Sequence, residues 1–385
     1  MGNGRRKENQ VTVAFTGGGT GGHIYPGLAV AALLKQKQEC GVFWIGSENP
    51  LDKSIVEEAG IPFFSVPSGK FRRNFSLRNF IDVFNIIRGY AAAKKILKQE
   101  KPALLFSKGG FVSVPPCAAA SSLGIPVFTH ESDFSPGLAT RINARYAAKS
   151  GGRIIAAYPE TKERFSERIK EKVVVLGNPV RSVFKTANPE EGRAFLGINS
   201  YDKILLVLGG SQGARELNEL VYGSLDELEK NYIVVHQTGT VWKDAAESIA
   251  GEKKLRYKPF PYIKEELPHV LAAADLVLAR SGAGTVWECA TLGKPMVLLP
   301  LAGSGTRGDQ IENALFFEKA GAAIVLHPNK RRGSDLKEVL QLLTEEKLKS
   351  MALLSLQIGN ADGAGSIVRL LTESLQMHSL IKENT

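Results

Sequence analysis

Short apolar runs alternate with longer helical patterns along most of the chain. The runs lie at 11–15, 42–46, 103–107, 126–130, 203–210, 231–239, 275–282 and 294–300. They lack the polar alternation of a half-exposed strand, so each is typical of a strand that is buried on both faces. Strands separated by helices in this way predict parallel, doubly wound sheets. The chain is therefore expected to be an α/β protein with two Rossmann-like domains.

Composition narrows the class of protein further. The chain has 385 residues, of which 43% are hydrophobic and 23% charged, so it can bury two cores and is not disordered. Its net charge of +10 favours an anionic partner, such as phosphate, nucleic acid or an acidic membrane surface. Cys40, Cys117 and Cys289 are widely spaced and form no CxxC, which favours a reducing cytosol over a disulfide framework or a zinc site.

No segment has the pattern of an export signal or a membrane span. The first ten residues are polar and basic, and the apolar runs fall far below the roughly 18 residues that cross a bilayer. Any contact with a membrane is therefore expected to be peripheral.

A polar stretch at 185–200 separates the two sets of strands. We place the domain boundary there, so that residues 1–184 form the first domain and residues 185–345 the second. The last segment, 346–385, has helical spacing, and we expect it to pack back on the first domain. Two such domains facing each other across a cleft place a ligand between them.

A glycine-rich loop, TGGGTGGH at 16–23, follows the first predicted strand, and Pro26 lies in the first turn of the next helix. Glycines let the backbone approach a ligand, and the N–H groups at a helix start attract anions. The loop fits GxGxxG, with Glu48 as a candidate ribose ligand. His23 and Ile24 stand where a Walker loop needs Lys and Ser or Thr, so we do not expect an ATPase.

Two similar loops occur in the second half of the chain. One is LVLGGSQGA at 206–214, where Ser211 and Gln212 add hydrogen-bond donors, and the other is SGAGTVWE at 281–288. Glu288 lies one turn into the following helix, where a carboxylate can accept hydrogen bonds from a ribose diol. A single glycine loop can serve only as a tight turn, but one in each domain favours a phosphate-bearing ligand.

Seven segments between Thr16 and Ala323 carry a specific resemblance. They are TGGGTGGHIYPGLAVA, KGGFVSVPPCAAA, HESDFSPG, GNPVR, GGSQGARELN, RSGAGTVWE and DQIENALFFEKAGAA. In this order they resemble the MurG-type enzymes of glycosyltransferase family 28, which act in peptidoglycan synthesis. The resemblance implies a GT-B fold and inverting transfer of N-acetylglucosamine from UDP-N-acetylglucosamine to lipid I, with no essential metal and no cofactor. It also implies a peripheral protein on the cytoplasmic face of the plasma (inner) membrane, with the acceptor in the first domain.

The same resemblance implies that the second domain binds the donor. Ile263 would hold the uracil through backbone groups, and Glu288 would hold the ribose hydroxyls. Gln310 and Asp309 would hold the sugar hydroxyls, although Asp309 stands where Gln or His is more usual. The other implied contacts are Ala283, Gly284, Thr285 and Val286 at the base and phosphate, Arg181 and Ser211 at the diphosphate, and Thr20, Gly21, Gly22 and Asp133 near the transferred sugar.

An inverting transfer needs a positive group that receives the leaving UDP and a base near the acceptor hydroxyl. Arg181 and the helix N-termini provide candidates for the first. His23, at the end of the first glycine loop and with an ordinary pKa of about 6.5, is a candidate base. A histidine in this position can equally pack under the loop.

The segment HESD at 130–133 supplies the other catalytic candidates. Glu131 follows a predicted strand, so it either positions the acceptor and assists the base or caps the helix that begins near Pro136. Many family members have Gln-Asn after His-Glu, whereas this chain has Ser132 and Asp133. Asp133 therefore places a carboxylate where an amide is usual, and it is a second candidate base.

Basic and aromatic residues are interleaved between positions 70 and 84. The cluster comprises Lys70, Phe71, Arg72, Arg73, Phe75, Arg78, Phe80 and Phe84. This mixture suits an anionic membrane surface, into which the rings insert at shallow depth. No RRM, KH or zinc pattern accompanies it, so we expect no nucleic-acid partner. An amphipathic core helix with a solvated face is the competing interpretation.

Three other functions remain open from the sequence. A related GT-B enzyme that glycosylates diacylglycerol would share the UDP-sugar loops and differ in the acceptor domain. An NAD-dependent oxidoreductase would need only one GxGxxG loop and would leave Glu288 and Gln310 without a role. A non-catalytic protein that binds nucleotide sugars would carry the same binding residues.

Overall fold

A computed structural model describes residues 11–38, 40–69, 78–210, 212–253, 256–303, 308–327 and 333–383. The chain forms two compact units. Unit 1 comprises Met1–Arg181 and Asp362–Thr385, and unit 2 comprises Ser182–Ala361. The end of the chain thus returns to the unit in which it began.

Each unit is built on one parallel sheet. In unit 1 the strands are β1 (Thr12–Thr16), β2 (Gly41–Gly46), β3 (Phe63–Ser65), β4 (Leu104–Ser107), β5 (Val127–Glu131), β6 (Ile154–Ala156) and β7 (Val173–Val175). In unit 2 they are β8 (Ile204–Leu208), β9 (Ile233–Gln237), β10 (Tyr257–Phe260), β11 (Leu276–Ala279), β12 (Met296–Leu298) and β13 (Ala323–Val325). All pairs are parallel, in the orders β3-β2-β1-β4-β5-β6-β7 and β10-β9-β8-β11-β12-β13.

Helices connect the strands. They are α1 (Tyr25–Lys37), α2 (Pro50–Glu58), α3 (Arg78–Glu100), α4 (Val114–Ser122), α5 (Leu138–Lys149), α6 (Glu167–Lys170), α7 (Ser182–Lys185), α8 (Pro189–Leu196), α9 (Arg215–Tyr222), α10 (Leu225–Leu228), α11 (Lys243–Lys253), α12 (Leu267–Ala273), α13 (Ala283–Thr291), α14 (Asp309–Lys319), α15 (Gly333–Leu342), α16 (Glu345–Gly359) and α17 (Gly363–Glu383). Short 3₁₀ turns lie at Gly21–His23, Phe111–Ser113, Pro159–Arg164 and Thr240–Trp242.

The strand order of each sheet reverses at one place. In unit 1 the chain moves outward from β1 to β2 and β3, and then returns to add β4 on the other side of β1. In unit 2 the same reversal separates β8 from β11. Loops that leave neighbouring strands on opposite sides open a crevice at the carboxyl ends of those strands, where doubly wound sheets bind their ligands. The sequence of unit 1 places TGGGTGGH and KGG there, and that of unit 2 places GGSQGA and RSGAG there.

The apolar spacing of the helices explains how the sheets are covered. In α1 the buried residues are Pro26, Gly27, Val30, Ala31 and Leu34, which follow the helical period and form one face. This face packs on one side of the unit 1 sheet together with Ile367, Val368 and Leu371 of α17. Burial of these residues of α17 against α1 and the sheet holds the last helix of the chain on unit 1.

The eight predicted strands are confirmed, and the sheets contain further short strands. The three-residue strands β3, β6 and β7 lie outside the predicted apolar runs, and β10 is an edge strand whose sequence YKPF contains Pro259. The polar stretch at 185–200 contains α8, which Asn188 caps by accepting a hydrogen bond from the Glu190 backbone N–H. The terminal segment is two helices, of which α16 packs on α13 in unit 2 and α17 belongs to unit 1.

Candidate functional site

The loops after β1 and β4 meet at the switch point of unit 1. Gly109 and Gly110 have φ angles of +88° and +77°, which residues other than glycine rarely adopt. A Cβ atom on Gly110 would lie 2.7 Å from the carbonyl oxygen of Gly18 and 3.4 Å from Nδ1 of His23. The two loops are therefore packed backbone against backbone, with the His23 ring beside them.

His23 is held by its own loop. Its Nδ1 lies 3.0 Å from the hydroxyl oxygen of Thr20, and the intervening residues Gly21 and Gly22 form the 3₁₀ turn that precedes α1. Thr20 is exposed and His23 is half-buried. The structure thus brings four of the sequence-predicted residues together at the carboxyl end of β1, with the imidazole ring oriented by a hydroxyl.

The first glycine loop depends on a carboxylate that the sequence analysis missed. Asp52 is 2% exposed, and its Oδ2 accepts hydrogen bonds from the Gly19 backbone N–H (2.8 Å) and from the Ser47 hydroxyl (2.6 Å). Trp44 donates from its indole nitrogen to the carbonyl oxygen of Gly17 at 3.0 Å. Two elements, β2 and the start of α2, therefore fix the path of the glycine loop.

Glu131 organises the loop that follows β5. One carboxylate oxygen accepts the backbone N–H of Asp133 (3.1 Å), and the other accepts that of Gly137 (3.0 Å), the residue before α5. Burial raises the pKa of Glu131, and the negative charge of Asp133 adds to this effect. The capping interaction considered for this residue is present, and Asp133 lies inside the turn that Glu131 holds.

A buried lysine and a buried histidine flank Glu131. Lys108, 2% exposed, donates to the Ser132 hydroxyl at 2.7 Å, and that hydroxyl donates to Oδ1 of Asn178 at 2.5 Å. His130 is fully buried and donates from Nε2 to the carbonyl oxygen of Gly177 at 3.0 Å. Burial holds the pKa of His130 well below its ordinary value, so this histidine is neutral at pH 7.

Arg181 follows the buried Asn178 at the end of the unit 1 sheet. Its guanidinium carbon lies 5.3 Å from the centre of the Tyr25 ring, in the geometry of a cation–π contact. Because Tyr25 is the first residue of α1, Arg181 lies beside the helix that the first glycine loop begins. The sequence segment GNPVR thus brings a cation to the same end of the sheet as His23.

Unit 2 has a cleft of about 580 Å³ at its own switch point. The loops after β8 and β11 form its walls, and Gly282, Thr285 and Gln310 are among its lining residues. Gly282 precedes α13 and provides no side-chain cap, so the first N–H groups of that helix are left to bind another acceptor. The cleft is therefore suited to an anion such as a diphosphate.

Arg280 is a lining residue that the sequence analysis did not select. It donates to the Glu216 carboxylate at 3.0 Å and to the carbonyl oxygen of Leu299 at 3.0 Å. The guanidinium is thereby fixed at the end of β11, and its charge is partly balanced before any ligand binds.

The predicted sugar contacts lie at the start of α14. Oε1 of Gln310 accepts the backbone N–H of Leu301 at 2.9 Å, and its backbone carbonyl accepts the Ser281 hydroxyl at 2.7 Å. Asp309 is the first residue of the helix. Gln310 is thus positioned in the cleft by contacts with the segments that follow β11 and β12.

The remaining predicted donor residues surround the same strand ends. Glu288 lies on α13 one turn after Thr285 and so shares its face of the helix, while Ala283 and Val286 are buried and Gly284 is half-buried. The backbone N–H of Ile263 donates to Oε1 of Gln237 at 3.0 Å, and the amide of Gln237 donates to the carbonyl oxygen of Gly210 at 3.1 Å. This chain of contacts ties Ile263 to the glycine loop after β8.

Some predicted residues lie outside the described part of the chain. These are Ser211 and, in the basic aromatic cluster, Lys70, Phe71, Arg72, Arg73 and Phe75. Arg78 and Phe80 belong to the first turn of α3, and Phe84 on the same helix is 60% exposed.

Within the described ranges, no helix is both long and apolar enough to cross a membrane. Nor do three or more His, Cys, Asp or Glu side chains in those ranges form a group that could hold a metal ion.

Two doubly wound parallel sheets, each with glycine loops at its switch point, form the GT-B architecture, and the matching family models identify the class as glycosyltransferase. Residues 13–151 match the glycosyltransferase family 28 N-terminal domain, and residues 204–364 match the glycosyltransferase family 28 C-terminal domain. The chain belongs to glycosyltransferase family 28 and is an enzyme of that class.

Curated relatives extend this assignment. A protein of Treponema denticola is 50% identical over 329 residues, which cover 82% of this chain and 83% of the relative. A protein of Treponema pallidum (strain Nichols) is 46% identical over 381 residues and 96% of each chain. Both are named UDP-N-acetylglucosamine--N-acetylmuramyl-(pentapeptide) pyrophosphoryl-undecaprenol N-acetylglucosamine transferase.

Solved structures agree on the fold. Acinetobacter baumannii MurG is 25% identical, with a TM-score of 0.74, and the match covers 94% of this chain and 99% of that one. The calicheamicin glycosyltransferase CalG4 is 17% identical, with a TM-score of 0.68 and coverage of 96% and 99%, and it supports the fold alone.

Proposed function

We propose that this enzyme transfers N-acetylglucosamine from UDP-N-acetylglucosamine to the muramyl 4-hydroxyl of lipid I, which gives lipid II. The observation that carries the proposal is the 46% identity across 96% of the chain with a relative named for this transfer. The match extends over both units, so it includes the residues of both switch points. The diacylglycerol, oxidoreductase and non-catalytic alternatives have no comparable support.

On the donor side, the cleft of unit 2 provides an arrangement for UDP. The uncapped N-terminus of α13 faces the diphosphate, and Thr285 and Gly282 line the same wall. Glu288, one turn further along, accepts hydrogen bonds from the ribose diol. The carbonyl of Ile263 contacts the uracil, and Gln310, fixed by Leu301, contacts the sugar.

The remaining donor contacts are proposed from the family pattern. Asp309 assists Gln310 at the sugar, and Ser211 and Arg181 meet the diphosphate. Thr20, Gly21, Gly22 and Asp133 approach the transferred sugar from unit 1.

The chemical step is a displacement at the anomeric carbon. The acceptor oxygen forms a bond to C1 of the sugar as the bond from C1 to the UDP oxygen breaks, and a base takes the hydroxyl proton. His23 and Asp133 are the candidate bases, and Glu131 holds the turn that carries Asp133. Negative charge grows on UDP in the transition state, so Arg181 and the start of α13 stabilise it there.

We propose that this step needs no metal ion. The sequence contains no Asp-x-Asp, the pattern with which many sugar-nucleotide enzymes hold a divalent cation. Helix N-termini and a guanidinium supply positive charge at the diphosphate instead.

The experiment that tests the function is UDP release from UDP-N-acetylglucosamine in the presence of a lipid I analogue. We expect turnover with this acceptor, in EDTA as well as in buffer with Mg²⁺, and no turnover with diacylglycerol. Turnover with diacylglycerol alone would favour the glycolipid synthase, and UDP binding without turnover on either acceptor would favour a binding protein. Loss of turnover in EDTA that Mg²⁺ restores would refute the metal-free step.

We further propose that unit 1 attaches peripherally to the cytoplasmic face of the plasma (inner) membrane through the basic aromatic cluster. A lipid-linked acceptor stays in the bilayer, and each cation near an anionic surface contributes on the order of 1 kcal/mol. The triple variant Arg72→Glu, Arg73→Glu, Arg78→Glu is expected to co-sediment less with vesicles that contain anionic lipid. Its turnover should fall on a long-chain acceptor and persist on a short-chain, water-soluble one.

A matched variant separates charge at the cluster from charge elsewhere. Lys337, Lys347 and Lys349 of unit 2 lie on α15 and α16, and their replacement by Glu changes the net charge equally. Equal loss of vesicle binding in both variants would show that only net charge matters. Equal loss of turnover on both acceptors in the cluster variant would instead favour the competing interpretation, in which the segment is an amphipathic core helix with a solvated face.

A further inference from the structure

Lys108 has a position that neither the family pattern nor the proposed chemistry explains. It follows β4 directly, its backbone N–H donates to the carbonyl oxygen of Thr16, and its side chain is buried. Lysine is almost never fully buried unless its charge is compensated, because the transfer of an ammonium group from water is costly. The surroundings of Lys108 should therefore show what its charge does.

The ammonium group connects three strand ends of unit 1. It donates to the Ser132 hydroxyl, which follows β5, and Ser132 donates to Asn178, which follows β7. Asn178 is itself 2% exposed and stands three residues before Arg181. One hydrogen-bonded chain therefore runs from the loop beside His23, through the HESD segment, to the GNPVR segment.

The charges around Lys108 are predominantly negative. Glu131 and Asp133 attract its ammonium, while burial lowers the pKa of Lys108 to about 8. In return, Lys108 opposes the burial and the repulsion from Asp133 that raise the pKa of Glu131. The charge of Lys108 also acts on His130, but burial is the largest cause of the lowered pKa of that histidine.

Glu131 fixes its turn only as an acceptor. Both of its oxygens receive backbone N–H groups, from Asp133 and Gly137. A protonated carboxyl group carries an O–H donor at one oxygen and is a weaker acceptor than a carboxylate, so its contacts with these N–H groups weaken. The charge of Glu131 therefore strengthens the contacts that hold the turn carrying Asp133.

We propose that Lys108 is a positioning residue for the transfer: its buried ammonium holds Ser132 and keeps the Glu131 carboxylate charged, so that the 131–137 turn presents Asp133 in one arrangement. The inference rests on the proposed function for its catalytic consequence. Its electrostatic part concerns the folded protein alone and is measurable without substrate. The other titratable or charged groups at this end of the sheet include His23, which packs against Gly109 and Gly110, Asp52, which holds the first glycine loop, and Arg181, which lies over Tyr25.

The test uses the full-length chain with ¹³C-labelled glutamate carboxyl groups, and the Glu131 signal is assigned with Glu131→Gln. In Lys108→Met we expect the titration midpoint of Glu131 to rise by on the order of one pH unit, since an opposite charge close by is removed. The acid limb of kcat/KM for the acceptor should move to higher pH by a similar amount. Ser132→Ala, which keeps the ammonium, should lower kcat and leave the midpoint of Glu131 within a few tenths of its original value.

Two further variants make the result specific. Lys108→Gln retains a polar N–H donor and lacks the charge, so it should raise the Glu131 midpoint as Lys108→Met does, and it serves if the methionine variant does not fold. Lys294→Met removes another largely buried ammonium, which donates to the carbonyl oxygens of Ala272 and Ala274 in unit 2, and it should leave Glu131 unchanged.

The outcomes separate the two proposals. An unchanged Glu131 midpoint in both Lys108 variants overturns the inference, whatever the activity. A raised midpoint with an unmoved acid limb in an active enzyme overturns the positioning role. A wild-type protein that releases no UDP with lipid I analogues refutes the proposed function, while the titration still decides whether Lys108 holds the charge of Glu131.

Discussion

Asp52→Ala tests whether a residue far from the glycine loop in sequence holds that loop in shape. The carboxylate is buried at the start of α2, and its Oδ2 receives the Gly19 N–H at 2.8 Å and the Ser47 hydroxyl at 2.6 Å. A Cβ atom on Gly18 would lie 2.5 Å from the same oxygen, so the loop is packed tightly against the carboxylate. Alanine removes both hydrogen bonds and leaves a gap beneath the loop.

The size of the effect follows from the exposure of the two donors. Gly19 is exposed, so water replaces the lost acceptor there, whereas Ser47 is 9% exposed and loses its partner in a mostly dry site. A hydrogen bond to a charged group contributes about 1.5–3 kcal/mol, so we expect the free energy of unfolding to fall by about 2 kcal/mol. A looser glycine loop should also position the reacting groups less well. If this raises the free energy of the transition state by about 1.4 kcal/mol, kcat/KM for the acceptor falls about tenfold.

The assay measures UDP release against acceptor concentration, together with urea unfolding and calorimetric titration with UDP. The affinity for UDP should stay unchanged, because the proposed nucleoside contacts lie in unit 2. Asp52→Asn keeps one acceptor oxygen, so its stability and its kcat/KM should lie between those of the wild type and those of Asp52→Ala. Asp244→Ala is the matched control, since Asp244 is exposed in the first turn of α11, as Asp52 lies in the first turn of α2.

Two results would refute this reasoning. If Asp52→Ala keeps kcat/KM within twofold of the wild type, the loop does not need the carboxylate. If Asp244→Ala loses as much activity as Asp52→Ala, the effect belongs to the general loss of an acidic residue at a helix start and not to the loop contact.

Two further predictions concern the donor. Glu288→Ala should raise KM for UDP-N-acetylglucosamine by about tenfold or more with a smaller change in kcat, since a contact to the bound ribose is lost; unchanged UDP affinity in calorimetry would contradict the assignment. Arg181→Ala should lower kcat more than it raises the donor KM, because charge on UDP grows in the transition state; a change confined to KM would place Arg181 in ground-state binding instead.

The alternation of apolar runs and helices was enough to predict the parallel sheets. A strand buried on both faces needs a continuous apolar run, and β1, β4 and β8 each have one. The strands that escaped prediction, such as β6 and β7, have only three residues, and pairing with a neighbouring strand defines them more than their own composition does. Local patterns do not record such pairing.

The glycine loops were predictable because their glycines meet a local steric demand, whereas the residues that support them were not. Asp52 lies in the first turn of a helix, where an acidic residue is ordinary. Its contact with Gly19 spans 33 positions and exists only once β1 and β2 are paired. Arg280 and Glu216 are likewise 64 positions apart, and neither segment alone indicates an ion pair.

The exchange of an amide for a carboxylate at Asp133 has a cost that the structure makes explicit. Burial raises the pKa of Glu131, and the second negative charge, on Asp133, raises it further. An asparagine in place of Asp133 would remove this repulsion, and the ammonium of Lys108 would then be less needed. If the proposal for Lys108 holds, the carboxylate of Asp133 is tolerated because the buried ammonium of Lys108 attracts it. It follows that Asp133→Asn and Lys108→Met should be non-additive, since each removes a charge whose effect on Glu131 depends on the other.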